Sequence, residues 1–155
     1  MIPDDLDQIV GRLADRFATQ RGALLPLLHA IQEEVGWVPE PAIPLVARAL
    51  NLSRAEVHGV LTFYHDFRRE PAGRHVVKLC LAEACKARGV GAIEQSLSDR
   101  LGVGIDETRE DGRVSFKAIY CLGLCATGPN ALVDDKPVSS LDAAKIDRIV
   151  AKVTA

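Results

Sequence analysis

The sequence predicts an α+β chain: a helical bundle over residues 1–72, then a domain over 73–155 in which strands and helices alternate. Three observations carry that expectation. Apolar residues recur at helical spacing through the first half. Strand-like runs appear only after residue 74. The basic residues change as well: every lysine lies at or after Lys78, and the first half uses arginine as its only strong base. The shift falls near Arg68-Arg69-Glu70-Pro71-Ala72-Gly73-Arg74, a charged stretch with one Pro and one Gly that reads as a linker.

The first four stripes are regular. Leu6, Ile9, Val10, Leu13 and Phe17 make one apolar face. Leu24, Leu25, Leu28, Ile31 and Val35 make a second, stopped by Gly36 and Pro39. Ile43, Val46, Ala47 and Leu50 make a third. Ser53-Arg54-Ala55-Glu56 fits a capping box, in which the Ser hydroxyl and Glu carboxylate satisfy free amides at a helix start. Val57, Val60, Leu61 and Tyr64 follow as a fourth stripe. Short connections favour an antiparallel bundle.

Residues 75–81, His-Val-Val-Lys-Leu-Cys-Leu, read as a buried strand. A helix follows, with Val90, Ile93, Leu97 and Leu101 on one face and Gly102 as its stop. After an Asp111-Gly112 turn, Val114, Phe116, Ala118 and Tyr120 alternate as a strand. Ala131-Leu132-Val133 and Pro137-Val138 flank Asp134-Asp135 as a short hairpin. Ser139 or Ser140 caps a last helix carrying Leu141, Ile146, Ile149, Val150 and Val153. Strand, helix, strand, strand, helix is the order of a small sheet with helices packed on it.

Composition narrows the function. The chain has 155 residues, 48% of them apolar, which is enough for a sizeable core. Its net charge of -2 comes from mixed acids and bases and offers nucleic acid no basic stripe. No apolar run approaches the roughly 20 residues of a membrane helix, so direct membrane insertion is not expected. The start, MIPDDLDQIV, lacks the basic segment of a secretory signal, and a cytoplasmic, reducing location is expected. Four cysteines in that setting point to metal or redox chemistry ahead of disulfides.

Those cysteines are Cys80, Cys85, Cys121 and Cys125, spaced C-x4-C, then thirty-five residues, then C-x3-C. Cys80 closes the first strand and Cys85 opens the helix after it. Cys121 closes the next strand and Cys125 lies in the loop beyond. If the two strands are neighbours, the four thiols converge at one sheet edge, and four thiolates are what an iron–sulfur cluster needs. Leu81, Ala84, Leu122, Leu124 and Ala126 would shield it, and Gly123 and Gly128 would let backbone amides approach the sulfurs. Cys85 near a helix start would gain from the helix dipole, with Lys86 and Arg88 adding positive charge. A structural zinc site also takes four thiolates, although zinc knuckles usually use two-residue spacings. Disulfides remain geometrically open. The C-x-x-C of a thioredoxin-type redox pair and the C-x4-C-x2-C of a plant ferredoxin are both absent.

Other residues have plainer explanations. His58 and His65 are seven apart and could share a helix face, but no third ligand is fixed by spacing, and ordinary helix histidines explain them. Trp37 reads as a core residue or an interface anchor. Phe63, Tyr64 and Phe67 form an aromatic cluster that either packs internally or meets a partner. Gly89-Val90-Gly91 fails as a dinucleotide loop, because Glu94 stands where a third glycine belongs.

Cys80-x4-Cys85 with Cys121-Leu122-Gly123-Leu124-Cys125 resembles the thioredoxin-like [2Fe-2S] ferredoxin family, which includes an iron–sulfur subunit of respiratory NADH dehydrogenase (complex I). Leu52 to Tyr64 and Arg113 to Cys125 are similar to the family's helical segment and to its strand into the cysteine loop. Within the family, Gly22 to His29, Pro71 to Val77 and Leu81 to Cys85 most resemble the gamma subunit of soluble, molybdenum-containing, NAD-dependent formate dehydrogenases. The resemblance implies a thioredoxin-like ferredoxin domain at 73–155 and one [2Fe-2S] cluster on Cys80, Cys85, Cys121 and Cys125. It also implies electron exchange with a flavin- and NAD-binding beta subunit, formate oxidation on a molybdenum-containing alpha subunit, and no catalytic activity of the chain alone. The equivalent subunits of complex I and of NAD-reducing hydrogenase are alternatives. So is a zinc-stabilised assembly module.

Overall fold

The computed structural model describes residues 2–155. It divides into two compact units, one ending at Pro71 and the other spanning Ala72–Ala155. The first unit holds four helices: α1 (Leu6–Arg16), α2 (Leu24–Val35), α3 (Ala42–Leu50) and α4 (Arg54–Phe63). The apolar stripes explain them. Val10, Leu13, Leu27, Leu28, Ile31, Val46, Val57 and Leu61 meet in one core, as amphipathic helices must when they bury their faces together. Gly36 ends α2 in the left-handed region, φ 90°, which favours a residue without Cβ. At α4 the expected capping box is complete: the Glu56 amide donates to Ser53 Oγ, and the Ser53 amide donates to the Glu56 carboxylate.

Helix α4 stops at Phe63, one residue before the end of its predicted stripe, and Tyr64 caps it in an extended conformation. His65 therefore lies beyond the helix and shares no helical face with His58. Buried Gln32 holds the segment after α4 in place. Its Nε2 donates to the Asp66 carbonyl, and its Oε1 accepts from the Arg68 amide. The aromatic cluster holds together through edge contacts from Phe63 to Tyr64 and from Tyr64 to Phe67. Phe67 is buried beside the His29 ring, whereas Phe63 and Tyr64 are exposed, Phe63 at 72%. Trp37 is half-buried.

The second unit is a five-stranded sheet with helices, the α+β arrangement that the order of elements predicts. Its strands are β1 (His75–Cys80), β2 (Glu107–Thr108), β3 (Val114–Ile119), β4 (Ala131–Val133) and β5 (Lys136–Val138). Their spatial order is β2-β3-β1-β4-β5. β1 and β3 run parallel, with His75 opposite Val114 and Cys80 opposite Ile119. The remaining pairings are antiparallel. The β4–β5 turn places Asp134 and Asp135 at positive φ, 51° and 60°, as a two-residue hairpin requires. The two-residue strand β2 has no alternating pattern to announce it, and the sequence reading missed it.

The single helix expected after β1 is two: α5 (Glu83–Ala87) and α6 (Val90–Leu101). Gly89 separates them at φ 80°. The last helix, α7 (Ala143–Thr154), is capped by Asp142, whose carboxylate accepts from the Lys145 amide, and not by Ser139 or Ser140. The core joins Val77, Leu79 and Phe116 of the sheet to Leu97 and Leu101 of α6 and Ile146, Ile149 and Val153 of α7. At Gly73 the chain comes so close to β3 that a Cβ would sit 2.7 Å from the Val114 carbonyl carbon. Its amide donates to buried Ser115 Oγ at 2.7 Å.

Candidate metal centre

Parallel pairing of β1 with β3 decides the site. Both strands end at the same edge, so the turn after Cys80 and the turn after Ile119 lie side by side, and the Leu81 amide donates to the Ile119 carbonyl at 2.9 Å. Cys80 is the last residue of β1 and Cys85 the third residue of α5; both are buried. Cys121 follows β3 by two positions, and Cys125 opens a short 3-10 turn ending at Thr127; both are exposed. Cys121 adopts φ 76° and Gly123 φ 74°. Two left-handed residues in so short a stretch fold the loop back on itself. The Gly123 amide then donates to Cys121 Sγ at 3.4 Å.

The thiols fall into two pairs. The Cys80 and Cys85 side chains lie against each other, and the Cys121 and Cys125 sulfurs lie 3.6 Å apart. That is far beyond a disulfide bond, which needs about 2.05 Å. It is close to the roughly 3.8 Å between two thiolates on one tetrahedral metal with bonds of about 2.3 Å. Among the described residues, no three His, Cys, Asp or Glu side chains gather as ligands of a single ion. A two-iron cluster instead takes two thiolates on each iron.

Main-chain amides surround the sulfurs. Burial pushes the Cys80 thiol up, but the amides of Ala82, Cys121 and Leu122, with the Cys85 thiol, outweigh it and hold it below the usual range. Cys85 is raised, first by burial and then by the neighbouring Cys80, although the Asn130 amide opposes this. Cys125 is raised because Cys121 lies against it. Cys85 sits in the first turn of α5, as the helix-start expectation requires. Helix α5 has five residues, and burial is the largest cause of the raised Cys85 thiol.

The loop residues divide differently from expectation. Leu81 and Leu122 pack against the core, Ala84 is half-buried, and Leu124 and Ala126 are exposed. Gly123 serves through its backbone conformation, whereas Gly128 serves through its size: a Cβ there would sit 3.3 Å from Cys85 Sγ. The Arg88 guanidinium donates to the Gly128 carbonyl at 3.1 Å, so Arg88 ties the two cysteine loops together. Lys86 pairs with Glu83. His58 and His65 are both exposed, on the four-helix unit. Sequence reasoning missed Asn130, which is 1% exposed and touches both loops. Only its place five residues after Cys125 could have drawn attention to it.

Soft thiolate donors, a cradle of amides and a cramped glycine at one sulfur fit an iron–sulfur cluster. They belong to the class of small redox domains that carry such a cluster at a sheet edge. The chain belongs to the thioredoxin-like [2Fe-2S] ferredoxin family, whose model matches residues 10–154. Its cofactor is a [2Fe-2S] cluster. The chain is 35% identical over 115 residues to a subunit of the NADH-quinone oxidoreductase of Pseudomonas aeruginosa, covering 74% of this chain and 69% of that one. It is 39% identical over 130 residues to a subunit of the NADH-quinone oxidoreductase of Mycobacterium tuberculosis, covering 84% of this chain and 50% of that one. In the crystal structure of an NAD+-reducing [NiFe]-hydrogenase in the air-oxidized state, one chain matches 85% of this chain with a TM-score of 0.74 and 26% identity; this chain spans 23% of it. Among the described residues no helix is long and apolar enough to cross a membrane.

Proposed function

We propose that this chain is the electron-transfer subunit of a cytoplasmic, NAD-linked oxidoreductase, holding one [2Fe-2S] cluster on Cys80, Cys85, Cys121 and Cys125. The observation that carries the reading is the parallel β1–β3 pair, which delivers two close thiol pairs to one sheet edge. The cluster, when bound, supplies one-electron exchange. The protein supplies four thiolates, amides directed at the sulfurs, and apolar cover from Leu81 and Leu122. Residues 73–155 form the cluster domain and residues 1–72 a separate helical module.

The electron partner is a flavin- and NAD-binding subunit. The parent enzyme is a formate dehydrogenase whose molybdenum-containing subunit oxidises formate; the stretches Gly22 to His29, Pro71 to Val77 and Leu81 to Cys85 support that assignment. The names of the relatives favour a second assignment, to an NADH-quinone oxidoreductase or an NAD-reducing hydrogenase. Purification of the native assembly tests both levels. Two irons and two acid-labile sulfides per chain, with visible absorption bleached by NADH, are expected. One colourless zinc and no sulfide would make the chain an assembly module. Formate-dependent reduction of NAD+ by the co-purified complex marks the formate enzyme, and quinone or hydrogen activity marks the others.

A further inference from the structure

A buried polar residue, Asn130, lies between the cysteine loops. Asn130 opens the segment into β4 and is 1% exposed. Three of its groups reach the cysteine loops. Its Nδ2 donates to the Leu124 carbonyl at 2.6 Å. That carbonyl belongs to the peptide unit whose nitrogen is Cys125's own. The Asn130 carbonyl accepts from the Cys80 amide at 3.0 Å, and the Asn130 amide faces the Cys85 sulfur. One residue thus bonds to the main chain of Cys80, to the side chain of Cys85 and to the peptide that carries Cys125.

The side chain is not there for packing. Its Oδ1 is buried and has no hydrogen-bond partner among the described residues. An unpaired buried oxygen is destabilising, and an apolar residue branched in the same way, such as leucine, would avoid it. What an apolar residue could not do is donate to the Leu124 carbonyl. The remaining bonds to that carbonyl, from the Thr127 amide at 3.0 Å and Thr127 Oγ1 at 3.1 Å, come from the same loop. They shape the loop without anchoring it. Asn130 alone among these donors ties it to the strand beside Cys80.

We propose that Asn130 is a positioning residue of the cluster site: its side-chain amide fixes the Cys125 loop against the Cys80–Cys85 pair, and so sets how tightly the cluster is held and at what potential. The proposal rests on the four cysteines being the ligands. Groups that orient metal ligands commonly cost about 10- to 100-fold in metal retention when removed.

The test compares the cluster-loaded full chain with Asn130→Leu, which keeps the branched shape but is larger and apolar, and Asn130→Ser, which is smaller and too short to reach Leu124. Measured are the rate of iron release to a chelator, the reduction potential, and the g values of the reduced cluster by electron paramagnetic resonance. Circular dichroism and thermal unfolding report the fold. Iron release at least about tenfold faster, with a shifted potential and altered g values in a folded variant, is the expected result. Should Asn130→Leu fail to fold, Asn130→Ser decides. Release, potential and g values equal to the parent's in a folded variant overturn the proposal. A parent chain that takes up no iron and sulfide, or a Cys125→Ser chain that keeps a full and unchanged cluster, overturns the ligand assignment along with it.

Discussion

At the scale of single residues, the four cysteines are not equivalent. Cys80 and Cys85 belong to the hydrophobic core, whereas Cys121 and Cys125 project from a loop. Serine at any of the four is expected to abolish or strongly weaken cluster binding, because each removes one thiolate from a four-thiolate set. The cluster-independent cost should differ. A hydroxyl in the core at position 80 or 85 loses roughly 1–3 kcal/mol unless it finds a partner. The same change at the exposed positions 121 and 125 should leave the cluster-free chain close to parental stability. Iron content and urea midpoints for the four variants check both statements. His58→Ala, on the four-helix unit, should change neither. Arg88 and Gly128 lie beside the proposed ligands: a Cβ at 128 would press on both Cys85 Sγ and the Arg88 side chain.

At the scale of elements, a carboxylate locks the β4–β5 hairpin to the rest of its unit. Asp134 Oδ1 accepts from the Val76 amide of β1 at 3.0 Å, and Oδ2 takes Lys152 Nζ of α7 at 2.6 Å and His75 Nδ1 at 3.0 Å. Burial would push this carboxyl up, but Lys152, the Val76 amide and His75 outweigh it and hold it at about 2, below the usual 3.8. A pKa lowered on folding means that the folded state favours the charged form. The stabilisation is then complete above the unfolded value and is lost as pH falls through the folded one. Asp134→Asn should therefore be less stable than the parent at pH 7, and the gap should close between about pH 4 and pH 2. Urea midpoints measured on both proteins across that range check it. A gap that stays constant would show that the carboxylate's charge is not what holds the hairpin. The capping box of α4 is a simpler device, built wholly from Ser53 and Glu56 within one turn.

At the scale of the whole molecule, the cluster domain exposes apolar groups beside the proposed cluster. Tyr120 is 72% and Leu124 37% exposed, and they flank Cys121 and Cys125 in sequence. Leu122 faces inward instead, so of the two loop leucines only Leu124 is free to meet another protein. Exposed apolar groups of this kind often mark interfaces. On the function proposed above, a flavin-bearing partner would approach this edge for an electron to cross. Leu124→Glu and Tyr120→Glu are expected to weaken co-purification with the flavin subunit, or to slow reduction of the cluster by NADH, with iron content unchanged. If both variants assemble and are reduced like the parent, the flavin subunit docks elsewhere.

The sequence by itself determined what is encoded locally. The four amphipathic helices, the capping box at Ser53, the Asp134-Asp135 hairpin and the two cysteine pairs were all legible, because periodicity, turn chemistry and short spacings act within a few residues. The breaks were less so. Gly89 splits α5 from α6, and Asp142 rather than a serine caps α7, where several residues of similar propensity compete for one role. Only the tertiary structure decided that β1 and β3 are parallel neighbours, which brings two distant cysteine pairs to one sheet edge. It also decided that Leu122 packs inward while Leu124 does not, and that Asn130 lies buried between the cysteine loops. These depend on pairings between segments thirty or more residues apart, held by burial and by hydrogen bonds between segments. No local pattern carries them: an asparagine after a proline reads as a turn residue until a distant strand, ending at Cys80, is laid beside it.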